Sequence, residues 1–174
     1  PPELIYLALF EPEANLLIYH LAENGLLNQV ELVGGDSLFS TTFANQIGAA
    51  ATGMFITTPS FTSEAYNKFI AQWNIRYEML PSSPTAAYAY DATKLLLAAI
   101  EDVALVGQNG SLVIGRAALR ERLTTIQDVA GLAGTLHCEA NGECAAQTYG
   151  VYELDTAVLN NNTWPPPLVW QFNE

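Results

Sequence analysis

Val30-Glu31-Leu32-Val33-Gly34-Gly35-Asp36-Ser37 is a short β-type run that closes on two glycines and an acid. A strand is read over residues 30–34, and its neighbours in the chain decide what kind of sheet it joins. Upstream, Leu4-Ile5-Tyr6-Leu7-Ala8-Leu9-Phe10 is an apolar run too short for a helix. It suits a strand buried on both faces, the habit of parallel sheets. Between the two strands Pro12 stands where a helix begins. Ala14, Leu16, Leu17 and Leu21 then make an apolar stripe at helical spacing, and Asn24-Gly25 closes it. Downstream, residues 41–51 read as a helix and Gly53-Met54-Phe55-Ile56-Thr57 as a third strand ending at Pro59. Strands alternating with helices predict a parallel α/β sheet.

Past Pro59, Tyr66, Phe69, Ile70, Trp73 and Tyr77 recur at helical spacing over residues 63–78, the core face of a helix rather than a cofactor box. Pro81-Ser82-Ser83-Pro84 ends it. A second long helix is read over 85–106, with Gly107-Gln108-Asn109-Gly110 as its exit, and a shorter exposed one over 116–125. Gly134-Thr135-Leu136-His137, the turn between the cysteines, and the alternating residues 147–154 read as an antiparallel hairpin. The tail, with Asn160-Asn161-Asn162 and Pro165-Pro166-Pro167, reads as loop.

The chain has 174 residues, 50% hydrophobic and 14% charged, which is the composition of a globular protein with a sizeable core. Its net charge of −12 repels phosphate backbones and anionic headgroups, so nucleic acid and membrane surfaces are poor partners. No apolar run approaches the ~18 residues of a membrane span. The opening run is stopped by Glu11-Pro12-Glu13 and lacks the basic flank and cleavage site of a signal peptide. A chain that begins in a fully apolar strand reads as a fragment, because such a strand needs neighbours.

Right-handed crossovers bring the carboxyl ends of the three strands to one sheet edge, outside which ligands of open α/β sheets bind. Phe10 and Glu11, Gly34-Gly35-Asp36-Ser37, and Thr57-Thr58-Pro59 fall there. The glycines remove side-chain bulk in front of Asp36. Its carboxylate suits either a charge-assisted contact to a cationic group or the capping of the next helix. Neither GxGxxG nor GxxxxGK[ST] occurs, and no Gly-x-Ser-x-Gly is present, so no phosphate loop or nucleophile elbow is read. An enzyme would have only Asp36 and Glu11 to work with, and no enzymatic activity is assigned. His20 falls on the first helix as a surface residue, and His137 adjoins Cys138, where strand neighbours point to opposite faces.

Cys138 and Cys144 flank the turn signal Asn141-Gly142. A disulfide there, set against two buried free thiols, stabilises by about 2 kcal/mol and implies an exported protein. Zinc would need two further ligands where the chain offers only His20 and His137, so no metal and no cofactor are assigned. Asn109-Gly110-Ser111 and Asn161-Asn162-Thr163 match the glycosylation sequon.

The stretch from Val33-Gly34-Gly35-Asp36-Ser37-Leu38 through Gly48-Ala49-Ala50-Ala51-Thr52-Gly53 to Thr57-Thr58-Pro59 resembles the leucine/isoleucine/valine-binding proteins, the substrate-binding components of branched-chain amino-acid ABC transporters. Pro12-Glu13-Ala14, Glu23-Asn24-Gly25-Leu26, Tyr90-Asp91-Ala92 and Gly131-Leu132-Ala133-Gly134-Thr135 carry the resemblance along nearly the whole chain. It implies an α/β fold of the periplasmic-binding-protein type I class, with Rossmann-like parallel-sheet lobes, present here as a C-terminal fragment. Complete members have two lobes joined by three hinge strands and bind one amino acid between them. Residues 1–59 would be part of the second lobe, 60–151 part of the first, and 152–174 a tail returning toward the second.

Carried over by position, Asp36 matches the acid that pairs with the ligand's α-ammonium, and Phe10 an aromatic pocket position that is often tyrosine. Gly35 and Glu11 complete the implied ligand-binding set, and Thr57, Thr58, Pro59 and Ser60 match a hinge. The groups that hold the ligand's carboxylate lie outside this chain. Phe10 lacks a hydroxyl, Asp36 is a methylene shorter than the glutamate of some members, and the turn cysteines are not a general feature of the family. The implied function is extracytoplasmic binding of a small amino acid, or a related solute, for import through an ABC permease. The implied place is the periplasm or the extracellular, membrane-associated surface. The alternative is a ligand-sensing domain for amides or other small organic solutes. Exposed flanks of strands 4–9 and 53–57 predict self-association by exchange of segments.

Overall fold

A computed structural model describes residues 2–144, 148–161 and 163–172. In chain order the elements are β1 (Leu4–Leu7), α1 (Glu13–Glu23), β2 (Glu31–Gly34), α2 (Thr41–Ile47), β3 (Met54–Pro59), α3 (Glu64–Tyr77) and α4 (Ala86–Val103). There follow β4 (Leu105–Val106), β5 (Leu112–Val113), α5 (Arg116–Thr124), β6 (Val129–Ala130), β7 (Thr135–Leu136), β8 (Tyr149–Leu154), α6 (Thr156–Asn161) and β9 (Leu168–Phe172). The chain divides into two compact units, crossing after Ser60 and returning before Thr148. The sequence boundaries were set after 59 and after 151.

The first unit is a five-stranded sheet in the order β1-β2-β3-β8-β9. β1, β2 and β3 are parallel, as their alternation with helices predicts, and β8 and β9 add antiparallel strands beside β3. β1 is shorter than the apolar run. Its last ladder partner is Gly34, opposite Leu7, after which the Leu9 carbonyl accepts a hydrogen bond from Ser37 Oγ (2.7 Å). One sheet face carries Leu7, Leu32, Met54, Ile56 and Leu154 into a core closed by Ile18, Phe43, Ile47 and Val158 from α1, α2 and α6. Burying such side chains is worth about 1.5–3 kcal/mol each.

The opposite face departs from expectation. Leu4, Tyr6 and Trp170 are 53%, 54% and 55% exposed, so β1 is not buried on both faces. An apolar run reports composition, not which layers cover it. The flank of residues 53–57 is not open either, since β3 is paired with β2 on one side and β8 on the other. The sheet edges are β1 and β9.

Three further readings are corrected. Tyr149–Leu154 pairs with β3 and β9 rather than with residues 134–137, which pair in part with β6; Gln147 lies outside the described residues. The tail read as loop contains α6 and β9. Asp155 Oδ1 accepts from Val158 N (2.8 Å) and so caps α6, an acid-plus-threonine signal present in the sequence. The long helix stops at Val103, because Leu105–Val106 pairs with Leu112–Val113 about the turn at Gly107–Gly110, where Gly110 takes φ +77°.

In the second unit α4 presents Ala87, Asp91, Leu95 and Ala99 as a buried stripe at every fourth residue. Leu95 and Ala99 pack with Ile126, Leu136 and Cys138, and Leu119 and Leu123 of α5 lean on them. Cys138 and Cys144 are joined by a disulfide. The turn between them is closed by Glu139 N to Glu143 O (2.7 Å), with Gly142 at φ +94°. Asp91 is 3% exposed, and its carboxylate accepts from Leu132 N (2.8 Å) and Ala133 N (2.9 Å). The aromatic face of α3 is less buried than its spacing suggests. Tyr66 and Phe69 pack beside Phe61, Ala87 and Leu132, but no residue of α3 is fully buried, and Tyr77 is exposed.

Candidate functional site

The carboxyl ends of β1 and β2 turn into loops that hydrogen bonds tie together. Ser37, after β2, donates to the Leu9 carbonyl after β1. Ser40 Oγ donates to Glu11 Oε1 (3.0 Å) and accepts from Phe43 N (3.0 Å), so it caps α2 while fixing the Glu11 carboxylate. That separates the two roles left open for Asp36. The helix cap is Ser40, whereas Asp36 opens a single 3-10 turn, Asp36–Leu38, with no side-chain capping bond. Its carboxylate is exposed and has no hydrogen-bond or ion-pair partner among the described residues.

Gly35 has a second reason to be glycine. A Cβ there would stand 3.2 Å from the Tyr6 hydroxyl, so that hydroxyl fills the space above the loop. Tyr6 was not singled out in the sequence, although its place in the β1 alternation with Ile5 and Leu7 sets it on the uncovered face. Phe10 follows β1 and is 73% exposed. Glu11 is half-buried through its bond to Ser40.

Thr57 to Ser60 form the end of β3 and the crossing out of the first unit. Thr57 Oγ1 donates to the Gly34 carbonyl (3.2 Å), linking this segment to the glycine pair. Thr58 and Ser60 are buried, and Thr58 Oγ1 has no hydrogen-bond partner among the described residues. Ser60 N donates to the Thr148 carbonyl (3.2 Å), and the Ser60 carbonyl accepts from Gln171 Nε2 (3.4 Å). Gly150 is needed beside them, since a Cβ would lie 2.9 Å from Ser60 Cβ and 2.6 Å from Leu168 Cδ1.

Two sizeable depressions lie away from these residues. One, of about 680 Å3, is at the amino ends of the strands, lined by Glu3, Asn28, Glu31 and Thr52 among others. The other, of about 710 Å3, is in the second unit between α3 and α4, where Phe69, Trp73, Tyr90 and Leu97 face it. The first is at the edge opposite Asp36, where the loops of a parallel sheet do not converge on a ligand. Among the described residues no group of three or more His, Cys, Asp and Glu is placed to hold a metal ion, and no helix is long and apolar enough to cross a membrane.

A family profile described as periplasmic binding protein matches residues 2–158. The chain belongs to that family. Solved periplasmic binding proteins share its fold. The leucine binding protein LivK of Thermotoga maritima superposes with a TM-score of 0.76 at 20% identity, over 99% of this chain and 45% of that one. LivJ of Streptococcus pneumoniae, a branched-chain amino acid transporter substrate binding protein in complex with isoleucine, gives 0.70 at 18% identity, over 97% and 43%. An ABC-transporter solute binding protein of Rhodopseudomonas palustris, in complex with 3,4-dihydroxybenzoic acid, gives 0.60 at 15% identity, over 87% and 40%. At such identities the likeness is one of fold, and the type I periplasmic-binding-protein fold implied by the sequence is the fold observed. The chain spans less than half the length of each of these proteins. No curated protein sequence matches it.

Proposed function

We propose that the chain is part of the solute-binding component of an ABC importer for branched-chain or similar small amino acids, with Asp36 as the acid set against the ligand's ammonium group. The observation that carries this reading is the Asp36 carboxylate, exposed at the carboxyl end of a parallel strand and uncommitted to any cap or ion pair. A carboxylate free of protein partners keeps its full capacity for a charge-assisted bond of the kind an ammonium offers. Phe10 adds an apolar wall at the same edge, and Thr57 to Ser60 serve as the hinge between the two lobes. The bound solute is handed to a permease unchanged. The isoleucine held by the Streptococcus protein supports this ligand class.

The second reading is a solute without an ammonium group, taken by a sensing or import protein. The 3,4-dihydroxybenzoic acid in the Rhodopseudomonas protein supports it, as does the fold's use in an extracellular ligand binding receptor of Desulfohalobium retbaense. Calorimetry with isoleucine, leucine and 3,4-dihydroxybenzoate, on the two-lobed form of the protein with and without Asp36→Asn, separates the two. The substitution should weaken amino-acid binding by roughly 2–5 kcal/mol and leave the melting point of the ligand-free protein unchanged. Amino-acid affinity within about twofold of wild type would remove Asp36 from the site.

A further inference from the structure

We propose that the uncovered face of the five-stranded sheet is an interface between two copies of this chain, packed sheet on sheet. The inference is independent of the ligand. Sheets with parallel strands are as a rule covered on both faces, yet α1, α2 and α6 close only one face of this sheet. Cross-strand register puts Tyr6, Val33 and Phe55 in one row, and pairs Val151 with Thr57 and Trp170, so the apolar side chains cross all five strands on the same side. Tyr6 and Trp170 stand at its two edges, each more than half exposed.

The area is the right size for a self-complementary contact. With aromatic side chains burying about 150–250 Å2 each, the face offers on the order of 700 Å2 per copy, close to the ~800 Å2 that each partner contributes to a standard interface. Sheets so packed sit about 10 Å apart with strands within about 30° of each other, and a two-fold axis lets one patch serve both partners. The chain spans 45% of the Thermotoga protein, so a pair brings together nearly the polypeptide of one such protein. Glu153, in register with Phe55, and the net charge of −12 on each copy oppose the pairing. Added salt screens that repulsion and should therefore strengthen the dimer.

The test is sedimentation velocity of the 174-residue chain over a wide concentration range, at low and high salt. A monomer–dimer equilibrium that tightens with salt is expected. Trp170→Glu and Tyr6→Glu, on opposite edges of the face, should each weaken it by about 30-fold or more. Val106→Glu, on the exposed β4–β5 hairpin, should leave it unchanged, and circular dichroism melts identify any variant that fails to fold. If one edge variant fails, the other carries the comparison. A monomer at every concentration, aggregates of undefined size, or a dimer lost with Val106→Glu overturns the proposal. So does a dimer that survives Trp170→Glu but not Tyr6→Glu, which would mean edge pairing through β1.

Discussion

Asp91→Asn changes one buried group and should unsettle a whole loop. In the native chain its two carboxylate oxygens accept from Leu132 N at 2.8 Å and Ala133 N at 2.9 Å. The residue is 3% exposed, and Lys94, one turn along α4, spends its Nζ on the Ala130 carbonyl. Each bond to a charged acceptor contributes about 1.5–3 kcal/mol. Asparagine has nearly the same shape but only one accepting oxygen, so its amide group would be turned on the second N–H. The loss is one charge-assisted bond plus an unsatisfied buried donor at about 1–3 kcal/mol, partly offset because no charge need be buried. A net loss of about 3 kcal/mol is expected in urea denaturation followed by circular dichroism, with faster amide exchange at Leu132 and Ala133. A change below about 1 kcal/mol, or unaltered protection of those two amides, would show that the carboxylate does not hold the loop.

Gly131→Ala probes the same joint from the other side. Its Cβ would fall 2.6 Å from Asp91 Oδ2 and 2.8 Å from Leu136 Cδ1, so about 1–3 kcal/mol should be lost, with a non-additive result when combined with Asp91→Asn. Ser40→Ala removes the cap of α2 and the partner of Glu11, and should cost about 1 kcal/mol, or roughly 2–4 °C in the melting point. Replacing Cys138 and Cys144 by alanine should cost about 2 kcal/mol in the same urea assay. Mass spectrometry of alkylated, unreduced wild-type protein should find no free thiol.

The strand–helix alternation up to Pro59 was legible because each element is specified within its own window of sequence. β8 and β9 were not, because what makes Tyr149–Leu154 a sheet strand is the flank of β3, some ninety residues earlier in the chain. The aromatic spacing of α3 announced an apolar face correctly. Spacing says nothing of whether a partner covers it, and Tyr77 lies open. At the candidate site the strand-end rule led to Asp36, Glu11 and Phe10, while the cap provided by Ser40 and the Tyr6 hydroxyl above Gly35 depend on contacts between loops that no local pattern records. Tyr90-Asp91-Ala92 and Gly131-Leu132-Ala133-Gly134-Thr135 were both noticed as motifs. That they form one hydrogen-bonded unit emerges only in three dimensions.

The hydrogen bond from Ser60 to Thr148, continuing the β3–β8 ladder past Pro59 and Tyr149, bears on the order of assembly. The intervening residues form one very long loop while unfolded, and closing it is the main entropic obstacle to joining β3 and β8. If those residues condense first around α4 and α5, the ends to be joined are carried on a compact body, and the effective loop shrinks before the sheet has to close. The strand pair is then a late step that reads whether the inserted residues have already folded. Destabilising Asp91, remote in sequence from either strand, should slow completion of the sheet as well as loosen its own loop, a coupling that stopped-flow refolding observed through Trp170 can follow.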